Sequence, residues 1–123
     1  MTNKEYIIKP TDSILITGAG GFIGSKVVET LLERGFKNLR CFIHSSRNLS
    51  VLKAMADRTN TNIEFVQGNL HSPEDCKQAV KGISVIYHLA IGSGGKSFPS
   101  SFMNAVIPTR NLLDACINDK SLK

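Results

Sequence analysis

Apolar positions along the chain fall into short unbroken runs separated by longer one-sided stripes. The first run is Ile14-Leu15-Ile16, within a stretch from about Ser13 to Thr17. An apolar run without alternation suits a strand covered on both faces. Comparable runs recur at about Leu39 to His44, Ile63 to Gln67 and Ile83 to Leu89. The segments between them carry helical periodicity. From about Gly21 to Arg34, Phe22, Ile23, Val27, Val28, Leu31 and Leu32 form a stripe, while Lys26, Glu29, Glu33 and Arg34 take the other side. Gly35 is a natural stop. A second helix is expected up to about Asp57, capped by Ser46 or Asn48, with Leu49, Leu52 and Met55 inward. Ser72-Pro73-Glu74-Asp75 is a helix start, with a capping hydroxyl, proline in the first turn and early acids. That helix runs to Lys81, where Gly82 ends it. A long fourth helix is expected from about Ser100 to Asn118, with Phe102, Val106, Leu112, Leu113 and Cys116 inward and a kink at Pro108. Met1 to Asp12 reads as a polar lead-in, and Ala90 to Pro99 as a loop of small residues.

Strict β-α alternation predicts an α/β fold with a parallel sheet and helices on both faces. With right-handed crossovers, the four strands and four helices fit a Rossmann-like, doubly wound sheet of spatial order 3-2-1-4. The first and fourth strands are then neighbours, with a crevice beyond their C-terminal ends. The turn after the first strand opens there. It reads Thr17-Gly18-Ala19-Gly20-Gly21-Phe22-Ile23-Gly24, a Gly-x-x-Gly-x-x-Gly spacing. Gly18 allows a sharp exit from the strand. Gly21 lets backbone N–H groups approach phosphate, and Gly24 allows close packing of the helix on the sheet. A strand, this turn and an amphipathic helix together point to a pyrophosphate cradle.

Length and composition narrow the class. The 123 residues fit one domain, and 41% of them are apolar. The net charge is +5, from fifteen Lys and Arg scattered without a run. No basic stripe with interleaved aromatics argues for nucleic acid, and a mildly basic surface suits an anionic cofactor. No stretch is apolar enough for a signal peptide or a membrane span. Cys41, Cys76 and Cys116 lack a C-x-x-C spacing and read as reduced, buried thiols of a cytoplasmic protein. His44, His71 and His88 are spaced too irregularly for a metal site.

Four ordered segments resemble the extended short-chain dehydrogenase/reductase family, also called the NAD-dependent epimerase/dehydratase family. They are Thr17 to Gly24, Gly68-Asn69-Leu70, Tyr87-His88-Leu89-Ala90, and Val106 to Ala115; the resemblance spans about residues 13 to 118. It implies that the N–H groups of Phe22 and Ile23 hold the pyrophosphate. Asn69, where the family usually has Asp, and Leu70 then border the adenine, and Ala90 lies by the nicotinamide ribose. NAD binders place an acid at the end of the second strand. Here that stretch is His44-Ser45-Ser46-Arg47-Asn48, and Arg47 suits a 2′-phosphate, so NADP is favoured over NAD.

The family's chemistry uses a Tyr-x-x-x-Lys pair, in which the Lys lowers the Tyr pKa. The two tyrosines, Tyr6 and Tyr87, are followed four residues on by Pro10 and Ile91. The expectation is therefore a dinucleotide-binding fragment of a reductase or epimerase, residues 1–123 being the N-terminal part of a larger domain, with no catalytic residue of its own. A non-catalytic dinucleotide-binding module is the alternative. The open edge of the fourth strand is a surface for self-association. Ala90 to Ser97 also resembles the phosphate loop of nucleotide hydrolases, ending Gly94-Gly95-Lys96-Ser97. Ala90 stands where that pattern needs Gly, and no Mg²⁺ carboxylate is evident.

Overall fold

A computed structural model describes residues 5–46, 48–91 and 97–123. The elements are β1 (Ser13–Thr17), α1 (Phe22–Glu33), β2 (Asn38–Ile43), α2 (Leu49–Arg58), β3 (Glu64–Gln67), α3 (Pro73–Val80), β4 (Val85–His88) and α4 (Phe98–Ile117). The sheet order is β3-β2-β1-β4, and each pair is parallel. The alternating pattern and the right-handed crossover rule thus gave the order seen.

β1 is the central strand, and its side chains divide between two cores. Ile14 and Ile16 point to a layer formed by Val28, Leu31 and Leu32 of α1 with Leu52 and Met55 of α2. Leu15 points to the opposite layer, where Cys76, Ala79 and Val80 of α3 meet Leu112 and Ala115 of α4. All three β1 residues are fully buried. Each such side chain is worth about 1.5–3 kcal/mol of hydrophobic stabilisation. Arg40 of β2 ties β3 to α3: Nε donates to Glu64 at 2.8 Å, and Nη1 donates to the carbonyls of Ala79 and Lys81 at the end of α3, each at 2.7 Å.

The helices differ from expectation mainly at their ends. Phe22 and Ile23 are 85% and 65% exposed, so the buried stripe of α1 is Gly24, Val28, Leu31 and Leu32. Phe22 and Ile23 instead line an open apolar groove of about 1050 Å³, together with Tyr6, Val27, Phe36 and Tyr87. Tyr87 packs half-buried against the α1-side core.

α2 is capped by neither expected side chain: Asn48 takes a left-handed conformation (φ 64°) and makes no capping bond. Leu49 is half-buried, and Ala56 joins Leu52 and Met55 in the core. α4 starts at Phe98, earlier than Ser100, because the Ser97 hydroxyl accepts from the Ser100 N–H and Pro99 fits the first turn. It runs through Pro108 to Ile117. Its buried face is Pro108, Leu112 and Ala115, with Cys116 half-buried; Phe102, Val106 and Leu113 are exposed. The helix lies over the α3 side of the sheet and nothing described covers its outer flank. After α4 the chain returns to the start of β4, where the Lys123 N–H donates to the Ser84 carbonyl at 2.8 Å.

No helix among the described residues is long and apolar enough to cross a membrane. The three cysteines are free thiols. Burial pushes the Cys41 thiol up to about 12 and, with the nearby Asp75 charge, Cys76 up to about 11. Thiolate is the reactive form. Iodoacetamide at neutral pH is therefore expected to label half-buried Cys116 first and Cys41 only on unfolding, read by mass spectrometry. Early Cys41 labelling would mean that β2 opens locally.

Candidate functional site

The loops that follow β1, β2 and β3, and the residues just after β4, gather at the C-terminal edge of the sheet. Three of them are built around the glycine turn. Gly18 leaves β1 with φ +71°, a region that favours glycine. A Cβ there would stand 2.8 Å from the Ala90 nitrogen, so the strand-end of β4 packs directly against this turn. The Gly21 N–H closes the turn on the Gly18 carbonyl at 3.1 Å. Gly24 sits against the same carbonyl: its Cβ would lie 1.9 Å from the Gly18 oxygen. Its close packing is thus against the turn, not the sheet face. A Cβ on Gly21 would meet only the Gly18 oxygen, at 3.3 Å, and the rest of that space is open.

Gly21 is the N-cap of α1, and no side chain caps the helix. The first-turn N–H groups, including those of Phe22 and Ile23, therefore face the crevice end with the positive pole of the helix behind them. The loop after β2 is tied in by Asn48, whose Nδ2 donates to the Gly20 carbonyl at 2.8 Å. Sequence reasoning saw Asn48 only as a cap and missed this brace. His44, Ser45 and Ser46 are exposed at the same edge. Arg47, the residue expected to select the 2′-phosphate, lies outside the described residues.

The loop after β3 is ordered by Asp75. Its Oδ2 accepts the Asn69 N–H at 2.9 Å, and a Cβ on Gly68 would meet the same oxygen at 3.0 Å and the Phe42 ring at 2.9 Å. The Asn69 Oδ1 accepts the His71 N–H at 2.9 Å, which leaves the side-chain NH₂ and one lone pair for other partners. Asn69 is exposed, whereas the Leu70 side chain is buried among Cys76, Ala79 and Leu112. The Leu70 carbonyl accepts from the Asn111 Nδ2 at 3.0 Å, joining this loop to α4.

The fourth side of the crevice is held by a set of polar residues that sequence reasoning had not joined. Thr17 and His88 are register partners on β1 and β4. The Thr17 Oγ1 is 2.7 Å from the His88 Nδ1 and accepts the N–H groups of Leu89 and Ala90 at 3.0 and 3.1 Å. The His88 Nε2 lies 3.0 Å from the Thr109 Oγ1, which donates to the Ala105 carbonyl at 2.8 Å. The signal was present, since a threonine ended one central strand and a histidine its neighbour. Burial lowers the His88 pKa below 6.5, favouring the neutral ring. No buried side-chain nitrogen or oxygen among the described residues lacks a partner.

The crevice thus offers uncapped backbone donors, an open glycine surface and small or polar strand-ends. Among the described residues no cluster of His, Cys, Asp and Glu could hold a metal ion. Of the phosphate-loop-like segment, Gly92 to Lys96 lie outside the described residues, and Ser97 is the cap of α4.

Residues 14–121 match the model of the NAD dependent epimerase/dehydratase family. The chain belongs to this family. Among its curated relatives, 3 beta-hydroxysteroid dehydrogenase type 7 of Mus musculus is 32% identical over 114 residues, which are 88% of this chain and 30% of the relative. The 2-alkyl-3-oxoalkanoate reductase of Shewanella oneidensis is 31% identical over 99% of this chain and 29% of its own length. Among solved structures, vestitone reductase from alfalfa superposes with a TM-score of 0.73 at 26% identity, covering 90% of this chain and 34% of that one. A mutant of uronate dehydrogenase from Agrobacterium tumefaciens, solved with NAD, gives 0.67 at 27% identity, covering 89% and 37%. The chain therefore spans about a third of the length of these epimerase/dehydratase relatives and carries their Rossmann sheet.

Proposed function

We propose that residues 1–123 form the dinucleotide-binding part of a reductase, dehydrogenase or epimerase. The observation that carries this reading is the uncapped N-terminus of α1 over Gly21, facing open space beside the end of β4. An anionic diphosphate is the ligand that such a helix start stabilises. In this reading the Phe22 and Ile23 N–H groups hold the pyrophosphate. Asn69 and the Leu70 backbone border the adenine, and Ala90 leaves room for the nicotinamide ribose. Arg47 pairs a 2′-phosphate, which favours NADP over NAD. The cofactor would supply the hydride chemistry; the residues here bind and orient it. Three free thiols fit a reducing compartment such as the cytoplasm.

The chemistry of proton transfer is not supplied by this stretch. Tyr87 packs against the α1-side core, and Ile91, not a lysine, follows four residues later. That arrangement also supports the second reading, a non-catalytic dinucleotide-binding module. Calorimetric titration with NADP and NAD tests both. The expected result is saturable binding, tighter for NADP, with no oxidation of NADPH at 340 nm when ketones and aldehydes are added. A titration without heat or saturation would end the dinucleotide reading, and robust turnover would overturn its non-catalytic part.

A further inference from the structure

The hydrogen count around Thr17 assigns every proton in the polar chain behind the crevice. A hydroxyl has one hydrogen and two lone pairs. Fully buried Thr17 spends both lone pairs on the N–H groups of Leu89 and Ala90, so its hydrogen goes to the His88 Nδ1. The ring then carries its proton on Nε2 and donates to Thr109, whose hydroxyl donates to the Ala105 carbonyl. All the bonds run in one direction, from the β4 strand-end through β1 to α4, an arrangement in which each bond polarises the next.

We propose that His88 is a positioning residue for the dinucleotide crevice, holding the Leu89–Ala90 backbone against the glycine turn through Thr17 while its ring is neutral. This role rests on the dinucleotide reading above. A second proton from solvent on Nδ1 places two hydrogens between the ring and the Thr17 oxygen. Thr17 must then release one amide, and its own hydrogen loses its acceptor in a fully buried position. The Leu89 N–H has a second acceptor, the Thr17 carbonyl at 3.3 Å; the Ala90 N–H has no other among the described residues. Because the Ala90 nitrogen lies only 2.8 Å from where a Gly18 Cβ would stand, any loosening is felt at the glycine turn.

Among the described residues, Thr17 of β1 and Thr109 of α4 face the ring, and burial alone shifts its pKa, with no acid or base contributing. The unfolded chain therefore binds more protons than the folded one just below pH ~6.5, and the neutral arrangement is lost as pH falls through the lower folded value.

The test measures NAD affinity by calorimetry from about pH 8 to about pH 5. NAD is used because the 2′-phosphate of NADP itself titrates near pH ~6. Wild type is compared with His88→Asn, which keeps an acceptor near the Nδ1 position but cannot be protonated, and His88→Gln, which keeps a donor toward Thr109 alone. His44 and His71 are present in all three, so differences between profiles isolate His88. Wild type is expected to lose about tenfold more affinity toward acid than His88→Asn, the size of one lost hydrogen bond. His88→Gln is expected to bind more weakly than His88→Asn at pH 8. In parallel, ¹⁵N NMR should show the Nε2–H tautomer at pH 8 and faster Leu89 and Ala90 amide exchange in acid. Matching pH profiles for wild type and His88→Asn, or an Nδ1–H tautomer, would overturn the role of His88 while leaving dinucleotide binding intact. Absence of binding by both NAD and NADP at pH 8 in wild type would overturn the dinucleotide reading and this role with it.

Discussion

Gly24→Ala is expected to cost about 3 kcal/mol or more of folding stability, a value typical of a hard steric conflict in packed structure. The added methyl would stand 1.9 Å from the Gly18 oxygen and 2.7 Å from the Gly18 carbon. Both are backbone atoms of a turn that Gly21 closes by its own hydrogen bond, so neither can yield without opening the turn. Gly21→Ala is the informative contrast. Its φ of −78° suits alanine, and its Cβ meets a single atom at 3.3 Å. Replacing an N-cap glycine by alanine costs about 1 kcal/mol. The fold should therefore survive, while a methyl group in the open space over the helix start displaces the diphosphate and weakens NAD or NADP at least about tenfold, since the phosphate then loses a charge-assisted hydrogen bond. Urea denaturation and calorimetry separate the two effects. A Gly21→Ala protein that bound dinucleotide like wild type would place the phosphates elsewhere.

These two glycines also show how far the sequence could be read. Their spacing after an apolar strand located the turn, and helical periodicity located α1 behind it. Spacing alone could not say which neighbour each glycine touches. Gly24 was expected against the sheet and meets the Gly18 carbonyl; Gly18 clears the Ala90 backbone, a partner seventy-two positions away that only the β1–β4 pairing supplies. Strand order was legible because chirality and alternation leave few topologies. Helix faces were less so. Phe22, Ile23, Phe102 and Leu113 fit an amphipathic stripe by spacing, yet they are exposed, and periodicity cannot tell how far the supporting layer extends. The polar chain through Thr17, His88 and Thr109 was least legible. Each residue alone fits an ordinary strand or helix, and their relation exists only in the register.

The second large effect is expected at that register point. Thr17→Val keeps the shape and β-branching of the side chain but removes the oxygen on which three partners depend. The Ala90 N–H and the His88 Nδ1 are left facing a methyl group, while Leu89 retains only its longer bond to the Thr17 carbonyl. Each unsatisfied buried polar group costs about 1–3 kcal/mol, so a loss of about 3 kcal/mol is expected at neutral pH. Ile16→Val, one residue earlier and equally buried, deletes a methylene without touching a hydrogen bond and should cost only about 0.5–1.5 kcal/mol. Thr17→Ser restores the hydroxyl and should recover most of the loss, leaving the cost of one missing methyl, about 1 kcal/mol. Urea midpoints at constant slope rank the three. If Thr17→Val matched Ile16→Val, the hydroxyl would be contributing shape alone, and the β4 strand-end would be held by packing against Gly18 rather than by its hydrogen bonds.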